Sequence, residues 1–396
     1  MTRRRRFGSL LAVTTVAALL ASGASSVAAV FAAEVVASEP QPQVEPSPRE
    51  SGPSALDDPS DASLPKPKID TDDLRAGGPP PDGIPAIDHP LFEAVGDVDW
   101  LGAREPVLAF EIDGEARAYP VQILTWHEIV NDTVAGVPVA ITYCPLCNSA
   151  IAYDRRLGDR VLDFGVSGLL YRSDLVMYDR QTESLWVQFL GEAVAGRLTG
   201  DELEPISVST VAWRDWRKAH PDGLVLSRDT GFDRDYGRNP YPGYDDENTE
   251  PFLLDQRADP RLPAKARVIG IERGSATAAI TFKRLRRARV EEVDVGGPVT
   301  VWHAAGTASG LDDQLVADGI DVGATGAFDP VVDGQLLHFE PVGKRRFRDN
   351  ETESTWDVLG RAVEGPLAGR VLAPVVHVDT FWFAWAVFTP DATLLR

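Results

Sequence analysis

Asp179-Arg-Gln-Thr-Glu-Ser-Leu-Trp186 returns later in the chain as Asp349-Asn-Glu-Thr-Glu-Ser-Thr-Trp356. The likeness spreads outward from this pair. Ala135-Gly136-Val137-Pro138-Val139 matches Val295-Gly296-Gly297-Pro298-Val299, and Ala193, Val194 and Gly196 match Ala362, Val363 and Gly365. Trp213 and Trp216 match Trp382 and Trp385, and Pro221-Asp222 matches Pro390-Asp391. One such match is expected by chance, but an ordered series marks an internal repeat. The architecture expected is two diverged copies of one β-rich domain packed together.

Local patterns supply the fold class. Val107 to Ile112, Asp113-Gly114 and Glu115 to Tyr119 make a hairpin, since Asp-Gly tolerates the positive φ that a two-residue turn needs. Pro120 to Val130 suits a short helix with Pro in its first turn. Gly136 to Tyr143 is a buried strand that runs into Cys144, and Ala150 to Tyr153 and Val161 to Phe164 flank a further turn. Ser209-Thr210 is expected to cap a helix through Trp213 and Trp216. The class is mainly β, an α+β chain with short helices.

The chain of 396 residues carries a formal net charge of -21, which disfavours nucleic acid as a partner. Arg3 to Arg6, the apolar run Leu10 to Leu20 and the small residues Ala21 to Ala33 form an export signal. Residues 1–33 are therefore a signal peptide or N-terminal anchor, and an uncleaved segment 7–33 would hold the chain near a membrane or cell wall. The expected location is exported: periplasm, cell surface or medium. Residues 34–90 are rich in Pro, Asp and Ser, with 13 of the 30 prolines between 38 and 90, and are expected to be a disordered linker. Residues 91–232 form the first repeat, 233–264 a connecting loop, and 265–396 a second, degenerate repeat.

The duplication is an internal control: a group kept in one copy only is a candidate for chemistry. Both cysteines lie in Tyr143-Cys144-Pro145-Leu146-Cys147 of the first copy. In the second copy Cys144 becomes Ala304, Cys147 becomes Thr307, His127 becomes Arg287 and Met177 becomes Phe347. Two Cys, a His and a Met are a soft ligand set for a copper ion, with zinc next. His127 and Met177 also have plain readings, as a core histidine and a core filler. The alternative chemistry is thiol–disulfide exchange with Cys144 and Cys147 as catalytic pair, and a third reading is a non-catalytic surface-binding module. Haem attachment is excluded because Asn148 stands where His is needed. Asp174, Asp179, Glu183 and Glu128 offer acid–base or hard-metal groups as an alternative, but read first as solvated or capping carboxylates. The loop Arg234 to Asn248 reads as a connection, with a cover or Ca²⁺ site as its alternatives. His303 would face the site if the copies pack with pseudo-twofold symmetry. The shared Thr-Glu-Ser-x-Trp segment is assigned a structural role.

These words carry a resemblance. Trp126-His-Glu-Ile-Val-Asn-Asp132, Thr142-Tyr-Cys-Pro-Leu-Cys-Asn148, Phe164 to Tyr171, Asp174 to Ser184 and Asn239-Pro-Tyr-Pro-Gly-Tyr244 resemble the microbial domain-of-unknown-function family 3179 from about Leu91 onward. The resemblance implies that Cys144 and Cys147 lie in the family's signature segment, with His127 and Met177 in neighbouring ones. It implies no activity.

Overall fold

The computed structural model describes residues 43–396. The signal peptide or anchor expected over 1–33, and the first residues of the expected linker, lie outside the described residues. Among the described residues no helix is long and apolar enough to cross a membrane. Strands dominate, and the four α-helices among the described residues have seven residues each.

Three sheet units follow one another in each half of the chain. The hairpin Pro106–Ile112/Glu115–Pro120 turns at Asp113 and Gly114, both with positive φ. Its first strand pairs antiparallel with Ser209–Ala212 and its second pairs parallel with Leu224–Leu226. In the other half, hairpin Arg267–Arg273/Ala276–Thr281 takes His377–Phe381 antiparallel and Thr393–Leu395 parallel. Each hairpin leads into a short helix, Val121–His127 or Phe282–Ala288. Then come the strands Ile129–Val134, Val137–Cys144 and Ser149–Asp154, against Val290–Asp294, Pro298–Ala304 and Ala324–Phe328. The third unit is a four-stranded meander, Phe164–Tyr171 to Glu192–Ala195 or Phe339–Val342 to Ala362–Glu364. Both meanders break register at the same place, between Leu185 and Trp186 and between Thr355 and Trp356.

The Thr-Glu-Ser-x-Trp corner has a physical explanation. Asp179 accepts hydrogen bonds from Thr182 N (2.6 Å), Thr182 Oγ1 (2.8 Å), Ser184 N (3.1 Å) and Trp186 Nε1 (3.0 Å). Asp349 accepts from Thr352 N, Thr352 Oγ1 and Trp356 Nε1 at 2.6, 2.7 and 2.8 Å. The Asp is the hub, while Glu183 and Glu353 supply a positive-φ turn. Gly196 and Gly365 sit so close to Ser184 and Ser354 that a Cβ would lie 2.6 Å from their Cα atoms. That explains why Gly is kept in both.

The halves exchange core material. Trp382, Phe383 and Trp385 of the last helix share a buried cluster with the first meander, including Met177, Trp186 and Phe189. Conversely, Trp213 and Trp216 of the first half's helix share a cluster with Trp302, Phe347 and Trp356 of the second. Trp302 stacks on Phe347 with centroids 4.4 Å apart.

Two expectations are corrected. Ser209 and Thr210 are strand residues paired with Ala109 and Leu108, not a helix cap, and helix Trp213–Ala219 starts after them. Residues 43–90 form a strap over the first half rather than a free linker. Ser47 N donates to Val161 O (2.8 Å), Glu50 N to Gln181 O (2.7 Å) and Lys68 N to Val194 O (2.9 Å). Leu74–Ala76 pairs antiparallel with the meander edge. Prolines carry no N–H to satisfy, so a Pro-rich chain can dock through its few remaining donors. Ala55, Leu64 and Ala86 reach the core. At Gly168, φ is +77° and a Cβ would meet Pro79 O at 2.1 Å, so only glycine lets the strap close on the strand.

Candidate metal centre

Two hairpin tips and one helix end build the site. Val137–Cys144 and Ser149–Asp154 pair to the last residue, Cys144 opposite Ser149, leaving Pro145 to Asn148 as the connecting loop. Asn148 takes a positive φ of 52° to close it. The loop is clamped from the far half: Phe381 N and Thr380 Oγ1 both donate to Cys147 O at 2.9 Å. The second tip is Tyr171 to Asp174, where Arg172 and Ser173 both have positive φ, as a two-residue hairpin turn demands. Gln188 and Phe189 tie the tips together. Gln188 Nε2 donates to Thr142 Oγ1 (2.8 Å), and Phe189 N donates to Asp174 Oδ2 (2.9 Å).

The result is a group of three. One Sγ of Cys144, one Sγ of Cys147 and one carboxylate oxygen of Asp174 lie within 4.8 Å of one another, all on buried residues. The thiols are free. Asp174 Oδ1 is buried with no hydrogen-bond partner. Burial pushes the Asp174 carboxyl up to about 7. It also raises the Cys144 thiol, and raises Cys147 well above the usual thiol range. Glu128, at the end of helix Val121–His127, is buried too, and desolvation together with the charge of Asp174 lifts it to about 8. Four groups that are anionic when ionised thus share one dry region, a setting that favours a bound cation.

A mostly apolar cavity of about 340 Å³ adjoins the group. Its wall includes Glu128, Leu146 of the cysteine loop, Leu175 beside Asp174, and Tyr241 and Tyr244. The tyrosines belong to the Arg234 to Asn248 loop, which covers the site. Lys265 Nζ holds that loop by donating to Tyr244 O at 2.8 Å.

A family model described as a protein of unknown function (DUF3179) matches residues 81–392. The chain belongs to that family. No curated protein and no solved structure matches it.

In this DUF3179 chain the four soft ligands expected from the sequence are not gathered. Cys144 and Cys147 are together. His127 is not with them: its Nδ1 is 2.7 Å from Pro85 O and its Nε2 is 2.6 Å from Tyr236 Oη, so both ring nitrogens are engaged. Burial first, and the Arg234 charge as well, lower its pKa to about 4 although the Pro85 contact opposes them. Met177 is three residues from Asp174 on one strand and so points to the opposite face, beside Val166 and Trp186 in the core. His303 lies by Val322 O, 3.2 Å from its Nε2, in a different cavity. Asp179 is the corner hub, and Glu183 pairs with Arg49 at the surface.

The residues underrated by sequence are Asp174 and Glu128. Tyr143 N donates to Glu128 O (2.8 Å) as His303 N donates to Arg289 O (2.9 Å). That shared bond sets Glu128 opposite Arg289 and His127 opposite Ala288, one residue from the His127–Arg287 pairing expected. Glu128 and Arg289 both have positive φ, so this backbone strain belongs to the fold and not to the chemistry.

Proposed function

We propose that this chain holds one divalent transition-metal ion through Cys144, Cys147 and Asp174 and presents it to a small, largely apolar ligand in the adjoining cavity. The observation that carries the reading is the three buried ligand atoms within 4.8 Å of one another. A carboxylate beside two thiolates is a harder set than one with His and Met, which moves the preference from copper to zinc. Three protein ligands leave a fourth position, the arrangement of zinc sites that also take a substrate atom. Glu128 stands on the cavity wall and is the group positioned to exchange a proton with the occupant. Thiol–disulfide exchange is disfavoured: both thiols are buried among carboxylates, whereas a nucleophilic thiol needs a lowered pKa.

The reading includes export, supported by the Arg3 to Arg6 head and apolar run, and descent of the two halves from one duplicated domain, supported by their common element order. The test is metal content per chain, in protein purified without oxygen or a His-tag. Wild type should retain about one ion, while Cys144→Ser and Asp174→Asn should retain none. Metal-free wild type after reconstitution with zinc and copper sinks the proposal. A reducible Cys144–Cys147 disulfide in that sample would favour the redox reading.

A further inference from the structure

A second cavity lies elsewhere, and its charge runs against that of the chain. It measures about 780 Å³ and is walled by Arg104, Arg214, Arg286, Arg289, Lys344 and Arg345, with Asp318 and Asp321 the carboxylates among its lining residues. Six cations against two carboxylates is a steep local reversal in a chain of net charge -21. Among the described residues Arg104, Arg286, Arg289 and Lys344 form no ion pair. They bond backbone carbonyls or nothing: Arg104 Nη2 donates to Gly319 O (3.0 Å) and Arg286 Nη2 to Asp321 O (3.4 Å). Asp215 pairs with the other two, 3.8 Å from Arg214 and 3.6 Å from Arg345. Arg214 Nε and Arg289 Nη2 are buried with no hydrogen-bond partner. Like charges held at this density repel one another, and the fold tolerates them where an anion completes the set.

Position makes the reversal more telling. The shared backbone bond puts Arg289 where the first half has Glu128. Strand ends put Ala304 where it has Cys144. Counting back from the corner residues Asp179 and Asp349 puts Lys344 where it has Asp174. The same fold position therefore offers carboxylates and thiols in one half and cations in the other. Arg104 and Arg214 reach across from the first half, and Arg214 Nη2 donates to Gly306 O at 2.9 Å.

We propose that this cavity binds a multivalent oxyanion, a small molecule with two or more phosphate-type or carboxylate groups. Guanidinium forks match such oxygens two at a time, and the volume is that of a small-molecule site. The inference stands on its own lining residues and does not depend on the metal reading. The test is calorimetric titration of the full chain with tripolyphosphate and, separately, citrate, at low salt. Saturable binding of either is expected, weakening at least tenfold in Arg286→Gln/Lys344→Gln, both on the exposed rim, and in Arg214→Gln, while Cys144→Ser binds as wild type. Tighter tripolyphosphate assigns a phosphate ligand, and tighter citrate a polycarboxylate. Absence of saturable heat from both, or equal affinity in the rim double variant and wild type, overturns the proposal.

Discussion

Asp174→Asn should make the metal-free protein more stable while abolishing the metal binding proposed above. The carboxyl is fully buried and its pKa rises from 3.8 to about 7, chiefly through desolvation. In the unfolded chain it ionises near 3.8. Between those values the folded state binds more protons, so stability falls as pH rises through the window. One pH unit corresponds to about 1.36 kcal/mol, so the full loss above pH 7 is on the order of 4 kcal/mol. About half of it accrues below pH 5.5 and half above. Asparagine does not titrate, and its Oδ1 can still accept from Phe189 N. Urea unfolding in reductant and chelator should therefore find the variant ahead of wild type by roughly 2 kcal/mol at pH 5.5 and roughly 4 kcal/mol at pH 8. Adding zinc should stabilise wild type only, by about 2.7 kcal/mol at one hundred times the dissociation constant, which reverses the order at pH 5.5 and narrows the gap at pH 8 to roughly 1 kcal/mol. A chelated variant less stable than wild type at pH 8 would refute the idea that this carboxylate is held at the expense of the fold.

Three further outcomes follow from the same geometry. His127→Phe should leave metal content unchanged and lower stability by about 1–3 kcal/mol, because Tyr236 Oη and Pro85 O lose a buried partner; metal analysis beside urea unfolding checks both halves of the statement. Asp349→Asn should cost about 3 kcal/mol by setting an amide N–H against Trp356 Nε1 or Thr352, with the metal retained, and loss of metal at unchanged stability would contradict the structural role of the corner. A chain beginning at residue 81 should lose the strap's edge pairing, unfold at lower urea and be cut faster by protease within Phe164–Tyr171, since Gly77 and Pro79 wall the apolar cavity.

The corner and the cysteines were legible because they are local. A repeated Asp-x-x-Thr-Glu-Ser-x-Trp word closes on itself through bonds spanning at most seven residues. Cys144 and Cys147 meet because one turn joins them. Asp174 and Glu128 were not legible as partners of the thiols, because their burial depends on where hairpins far apart in sequence meet, and composition alone favours solvated carboxylates. One signal was present: Glu128 and Asp174 stand opposite Arg289 and Lys344, but a one-residue slip in the helix paired His127 with Arg287 and hid the first of these reversals. The strap was illegible for another reason. A Pro-rich segment without a core of its own can still be ordered by edges supplied elsewhere, and sequence shows the segment without the edges.

The Trp helices that cross between the halves, and the clamp of Thr380 and Phe381 on Cys147, make the halves interdependent. Neither half has a complete interior of its own, and the loop bearing both thiols is fastened by the half that has none. A gene shortened to the cysteine-bearing half would encode a sheet missing its aromatic plug and a thiol loop with no anchor. Loss of the second half would therefore undo the first, whatever its own cavity binds.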